Sequence, residues 1–188
     1  MYLILGLGNP GPRYELSRHN MGFLAVDALA QKHGIQLGQH RYFSLYGQGK
    51  VNGIPSVVAK PMTYMNESGR AVQALLQGLQ FSPDRILVVH DDIDLPLGKI
   101  KRKSKGGDAG QRGLASIIGT LGTDQFARLR IGIGRPETQD QIVDYVLSPF
   151  LDEEISTVNE ILEKAVLGIE ELLAGLNKKS NQTEEQTE

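Results

Sequence analysis

Two short apolar runs without polar alternation restrict the fold of this chain more than any other feature. One is Leu3-Ile4-Leu5 with Leu7, near the start; the other is Ile86-Leu87-Val88-Val89, near the middle. A strand that is apolar on both faces needs cover on both, which points to parallel strands inside a layered α/β sheet. Each run opens into a loop carrying polar chemistry, GLGNPGPRYELSRHNMG after the first and HDDIDLPLG after the second. Open α/β sheets place ligand sites at such C-terminal strand ends. The two loops are therefore the first places to look for function.

Gly6 to Gly11, GLGNPG, matches the dinucleotide fingerprint GxGxxG, but its context does not. That motif must open directly into a helix whose N-terminus holds the pyrophosphate. Pro10, Gly11 and Pro12 keep this chain in turn or extended conformations. The first helix is expected only from about Asn20, as N-cap, with Gly34 at its end. What the loop offers instead is side-chain chemistry. Asn9 has a donor and an acceptor, and His19 can move a proton near neutral pH. Gly6 and Gly8 leave room for something to approach the backbone.

Further along, Asn52-Gly53 between two strand-like runs predicts a hairpin. The stretch PMTYMNESG brings Asn66 to the start of a helix, where it is either a cap or a ligand group, with Tyr64 and Met65 beside it. Asp91, Asp92 and Asp94 crowd the end of the second buried strand with His90. Such carboxylates can ligate Mg²⁺, orient a histidine from elsewhere as in a triad, or simply lie in a solvated turn. Lys99, Lys101 and Lys103 recur with period two, on one face of a strand, and a glycine-rich loop follows. In RLRIGIGRP, Leu129, Ile131 and Ile133 alternate with Arg128 and Arg130. An arginine in a half-buried strand needs an anion or an acid. Gln139 to Leu147 reads as a short helix ending at Ser148-Pro149. Ile155 to Leu173 carries an apolar stripe at helical spacing that covers the sheet. One domain over residues 1–176 is expected, with a polar, disordered tail over 177–188.

Net charge is −2, but it is unevenly spread: nine Lys or Arg against two acids from Lys99 to Arg135, and ten acids against three lysines from Phe150 onward. A local polyanion site is thus compatible with an acidic chain. There is no cysteine, which excludes disulfides, thiolate catalysis and sulfur-based zinc sites and suits a cytoplasmic protein. No signal peptide and no membrane-spanning apolar run is evident, so no membrane partner is expected. The signatures GxSxG, HExxH and GxxxxGK[ST] are all missing. A histidine, strand-end carboxylates, loop amides and a basic strip remain. Together they suit hydrolysis by an activated water on a substrate that carries phosphates.

Six strings in order, GLGNPGPRYELSRHNMG, PMTYMNESG, HDDIDLPLGKIK, KGGDAGQRG, RLRIGIGRP and VLSPF, resemble the bacterial-type peptidyl-tRNA hydrolase family. The resemblance implies a single α/β domain, a mixed twisted β-sheet surrounded by α-helices. It implies hydrolysis of the ester between a peptide and the 3′ end of tRNA by a cytoplasmic monomer, with no cofactor and no metal. Carried over residue by residue, His19 resembles the base and Asp91 the carboxylate that orients it. Asn9 resembles the reader of a blocked amino group. Asn66, Tyr14 and Tyr64 would line the channel for peptide and terminal nucleotides. Lys101, Lys103 and Arg130 would clamp the tRNA 5′ phosphate. One block departs from the pattern: Gln111 and Arg112 stand where the family usually has His-Asn, and Asp108 replaces another common histidine. Arg112 cannot accept a hydrogen bond, so it would instead hold phosphates or offset developing negative charge. Two other readings are a noncatalytic RNA-binding relative and a Mg²⁺-dependent phosphohydrolase on Asp91 to Asp94.

Overall fold

The computed structural model describes residues 1–185. In chain order its regular elements are β1 (Tyr2–Gly6), α1 (Met21–Lys32), β2 (Gln39–Arg41), β3 (Ser44–Val51), β4 (Ile54–Pro61), α2 (Ser68–Leu79), β5 (Ile86–Asp92), β6 (Ile100–Lys103), α3 (Arg112–Leu121), β7 (Ala127–Gly132), α4 (Ile142–Leu147) and α5 (Ile155–Glu185). The strands form one seven-stranded mixed sheet in the order β2-β3-β4-β1-β5-β7-β6. The two apolar runs are its centre: β1 lies parallel to both β4 and β5, and β5 parallel to β7. Every residue of β1 and β5 is buried, Ile86 to Val89 as unbroken hydrophobicity requires and the polar His90, Asp91 and Asp92 after them.

Helices cover both faces and divide the core in two. Ile4, Val58, Leu87, Val89 and Leu129 pack against Val26 and Leu29 of α1 and Ile161, Ala165 and Ile169 of α5. On the other face Leu3, Leu5, Val57 and Val88 meet Val72 and Leu75 of α2 and Leu114 and Ile117 of α3. The single-domain α/β expectation therefore holds, with its hairpin: Asn52 and Gly53 take φ of 48° and 82° between β3 and β4.

Two elements differ from expectation. A second hairpin, β2 to β3, turns at Tyr42 and Phe43, both at positive φ, where the sequence reads as the start of one of the two strand-like runs, Tyr42 to Lys50. Left-handed turns are usually marked by Asn or Gly, so these aromatics gave no signal. Helix α5 also runs past residue 176 as far as Glu185. No Gly or Pro follows Gly175, and a helix already anchored by its packed half propagates through Lys, Gln and Glu at little cost. Residues 186–188 of the expected tail lie outside the described residues.

Candidate active site

The chain leaves β1 at Gly6 and returns as α1 directly over the strand end. A Cβ added to Gly22 would stand 2.4 Å from the Leu7 nitrogen, and one on Gly6 would stand 2.3 Å from the Gly22 carbonyl oxygen. At Gly8 it would meet the Phe23 ring and Asn20 Oδ1. What approaches these glycines is thus the protein's own helix rather than a ligand. Between them the loop makes two 3₁₀ turns, Pro12–Tyr14 and Arg18–Asn20, so no helix opens on the glycine motif and the dinucleotide reading fails structurally too. The close packing of α1 sets His19 at the C-terminal edge of the sheet, over β5.

There His19 Nδ1 lies 2.7 Å from Asp91 Oδ2. Asp91, 2% exposed, lies in β5 two residues beyond its apolar run. Its other oxygen, Oδ1, accepts a hydrogen bond from Gln111 Nε2 at 3.0 Å. Burial pushes the Asp91 pKa up, but the charge and hydrogen bond of His19 and then the Gln111 bond outweigh it, and the carboxyl is held below its ordinary value. For His19, burial pulls the pKa down, the Asp91 charge and hydrogen bond reverse this, and Arg112 opposes them; the net result is above the ordinary value. With Nδ1–H donating to a carboxylate, the second ring nitrogen, Nε2, is left with its lone pair free to accept a proton.

In the sequence Gln111 stands out only as a departure from a family pattern. In the structure its side chain has two tasks. Oε1 caps α3 by accepting from Leu114 N at 2.8 Å, while Nε2 holds Asp91 and lies 3.3 Å from Met65 Sδ. No local signal marks such a role, because an N-cap glutamine is not a preferred residue and its partner lies twenty positions away.

Asn9 is held just as firmly. Asn20 Oδ1 accepts from the Asn9 amide at 2.8 Å, and Asn20 Nδ2 donates to the Asn9 carbonyl at 3.0 Å. Asn20 precedes α1 as expected but makes no side-chain cap; its amide grips the loop instead. Asn9 Oδ1 accepts from Met65 N at 2.8 Å, which leaves Nδ2, a donor, as the group it presents. Asn66 lies in the 3₁₀ turn Met65–Glu67, exposed and making no cap bond to α2. Met65 is core, whereas Tyr64 is exposed.

His19, Asp91, Asn9, Asn66, Tyr14, Tyr64 and Arg112 line one cleft of about 470 Å³. Its far wall is apolar, from Ile142, Val143, Val146 and Leu147 of α4. Lys101, Lys103 and Arg130 do not reach it. They lie together on the sheet beyond β5, with Lys101 opposite Arg130 and Lys103 opposite Arg128 across β6 and β7. Arg130 meets the acid its position demanded: its Nε pairs with Asp92. Arg128, 1% exposed, donates to the Gly107 carbonyl at 2.7 Å and so ties down the glycine loop that delivers Gln111 and Arg112. Asp108 turns the same loop by accepting from Gly110 N. Lys101, Lys103, Lys105 and Arg112 have no acidic partner among the described residues.

The strand-end carboxylates do not converge as a metal centre. Asp91 faces His19 and Gln111, Asp92 faces Arg130, and Asp94 faces Arg135. No group of three His, Asp or Glu suited to a metal ion occurs among the described residues. His90 donates from Nδ1 to the Asp91 backbone carbonyl at 2.7 Å, and burial holds its pKa below the ordinary histidine value, which favours the neutral form.

A family model described as peptidyl-tRNA hydrolase matches residues 3–188. The chain is 45% identical over 173 residues to the peptidyl-tRNA hydrolase of Bacillus anthracis, covering 92% of this chain and 93% of that one. It is 46% identical over 166 residues to that of an Exiguobacterium species, covering 88% and 90%. The crystal structure of peptidyl-tRNA hydrolase from Acinetobacter baumannii superposes with a TM-score of 0.88 at 36% identity, over 95% of this chain and 91% of that one. With the buried His–Asp pair, the amide-lined cleft and these likenesses in hand, the chain belongs to the peptidyl-tRNA hydrolase family.

Proposed function

We propose that the chain hydrolyses the ester between a peptide and the 3′ end of tRNA. The observation that carries this reading is the buried contact of His19 Nδ1 with Asp91 Oδ2, at 2.7 Å, on the wall of a cleft lined by Asn9 and Asn66. His19 Nε2 takes a proton from water as the oxygen attacks the ester carbonyl. Asp91 steadies the imidazolium, and Gln111 holds Asp91 in place. Arg112 donates to the charge that develops on the carbonyl oxygen. Collapse breaks the bond to the ribose, and the proton held by His19 passes to the departing 3′ oxygen, leaving free tRNA and a peptide acid.

Asn9 presents a donor to the cleft, so it reads a blocked amino group through the carbonyl of that amide rather than its N–H. Tyr14, Tyr64 and Asn66 receive the peptide and terminal nucleotides, for which aromatic faces are suited. Lys101 and Lys103, reinforced by Arg130, take the 5′ phosphate. In this role the chain works as a monomer in the cytoplasm, without a metal. The test is release of tRNA from N-acetylaminoacyl-tRNA in excess chelator. Turnover is expected to persist, and a His19→Ala variant is expected to lose about 10²- to 10⁴-fold in kcat. Strict dependence on added Mg²⁺ would point to the phosphohydrolase, and binding without turnover to an RNA-binding module.

A further inference from the structure

Met62, close in sequence to the cleft residue Tyr64, and Phe43 are further large apolar side chains that are exposed. Tyr64 is 58% exposed, Met62 39% and Phe43 50%. From the end of β4, residues 61–66 alternate buried and exposed, which leaves Met62, Tyr64 and Asn66 in water. Met62 N donates to the Phe43 carbonyl at 2.7 Å, joining the two segments. Phe43 is presented in an unusual way, since it and Tyr42 occupy a left-handed turn that bulky residues rarely adopt. Tyr42 is accounted for by packing: its ring lies against Gly78, and its hydroxyl donates to the Gly78 carbonyl at 3.2 Å. The Phe43 ring instead lies at the surface under the Arg70 guanidinium, 4.0 Å from its centroid.

Strand order identifies the occupant. Phe43 and Met62 belong to the β3–β4 side of β1, whereas Lys101 and Lys103 lie on β6, three strands from β1 in the opposite direction, about 14 Å at ordinary strand spacing. On the β3–β4 side, the guanidinium groups of Arg41 and Arg70 lie over the rings of Tyr42 and Phe43. An ester has an RNA oxygen on one side and an acyl group on the other. An RNA end that reaches His19 from the lysine side leaves its acyl group pointing toward β4 and β3. We propose that Phe43 and Met62, continuing from Tyr64, form a subsite for apolar side chains of the peptide beyond its ester-linked residue, an inference that rests on the hydrolase reading above.

The test compares kcat/KM for two substrates on the same tRNA: an N-acetylaminoacyl group, and an N-acetylated tetrapeptide with leucines at the positions preceding the esterified residue. The parent chain is expected to favour the tetrapeptide by about tenfold, the scale of filling or emptying an apolar pocket. In a Phe43→Ser/Met62→Ser variant this ratio is expected to fall to near one, and in Phe43→Leu to remain close to the parent's. Equal losses on both substrates would place RNA on Phe43 and Met62 and overturn the proposal. An unchanged ratio in the serine variant would overturn it as well. A parent inactive on both substrates would instead sink the hydrolase reading, and this subsite with it.

Discussion

The chemistry of single residues here is set by who holds them. His19 is nearly buried, so in isolation it would lose basicity, yet the Asp91 carboxylate raises its pKa above the ordinary 6.5. A base must be deprotonated, so kcat/KM is expected to fall as pH drops through a midpoint above that value. In Asp91→Asn the supporting charge is gone, while burial and Arg112 still disfavour the cation. The midpoint should then move below 6.5, with kcat at the plateau reduced by about a hundredfold or more. A pH–rate profile of both proteins checks this; an acid limb that does not move would remove Asp91 from the proposed role. Gln111 adds a hold that does not titrate, because an amide donates to Asp91 at any physiological pH where an imidazole in its place would change charge. The sequence offers His19, Asp91 and Asn9 as candidates because they belong to contiguous motifs. It could not assign Gln111 or Asn20 their partners, since those are chosen by how loops cross.

At the scale of elements, the loop carrying His19 is pinned to the C-terminal part of the chain by its neighbour. Arg18 is 3% exposed and makes two bonds to Glu154, at 3.0 and 2.6 Å. Its guanidinium lies between the rings of Tyr145 of α4 and Phe150, at 4.4 and 4.8 Å from their centroids. The backbone adds Arg18 N to the Ser148 carbonyl and a bridge between Ser17 and Pro149. The recognised string VLSPF is thus partly a seat for the loop that carries His19. Removing Arg18 leaves Glu154 without its main partner and opens a cavity between two rings. Arg18→Ala should cost about 3 kcal/mol of unfolding free energy, and kcat should fall further than KM changes because His19 is the next residue. Denaturant titration with steady-state kinetics measures both. Stability and kcat both unchanged would show that the loop is held by its backbone contacts alone.

For the molecule as a whole, charge distribution matters more than net charge. The chain is acidic overall, yet Lys101, Lys103 and Lys105 stand without acidic partners among the described residues, while Arg102, Arg130 and Arg135 are each paired. Affinity for tRNA should therefore fall with salt, and a Lys101→Gln/Lys103→Gln variant should reduce the slope of log affinity against log salt by about 1 to 2. Filter binding over a salt series reads this directly, and a parallel weaker line would mean that those lysines contact no phosphate. Much of the architecture was legible because it depends on local pattern. Unbroken apolar runs require double cover, Asn-Gly requires a hairpin, and a helical stripe requires a face to bury. The Tyr42-Phe43 turn and the extension of α5 escaped because their residues are poor indicators of those conformations. By itself the sequence determined which stretches become buried strands, where helices cannot start, which side chains have useful chemistry and, through six ordered motifs, the family. Only the tertiary structure decided that α1 rather than a ligand fills the space over Gly6 and Gly8, that Arg130 faces Asp92, and that Asn9 turns a donor to the cleft. Periodicity and propensity act over a few residues, whereas the partner of His19 lies 72 positions away and is chosen by the order in which strands join the sheet.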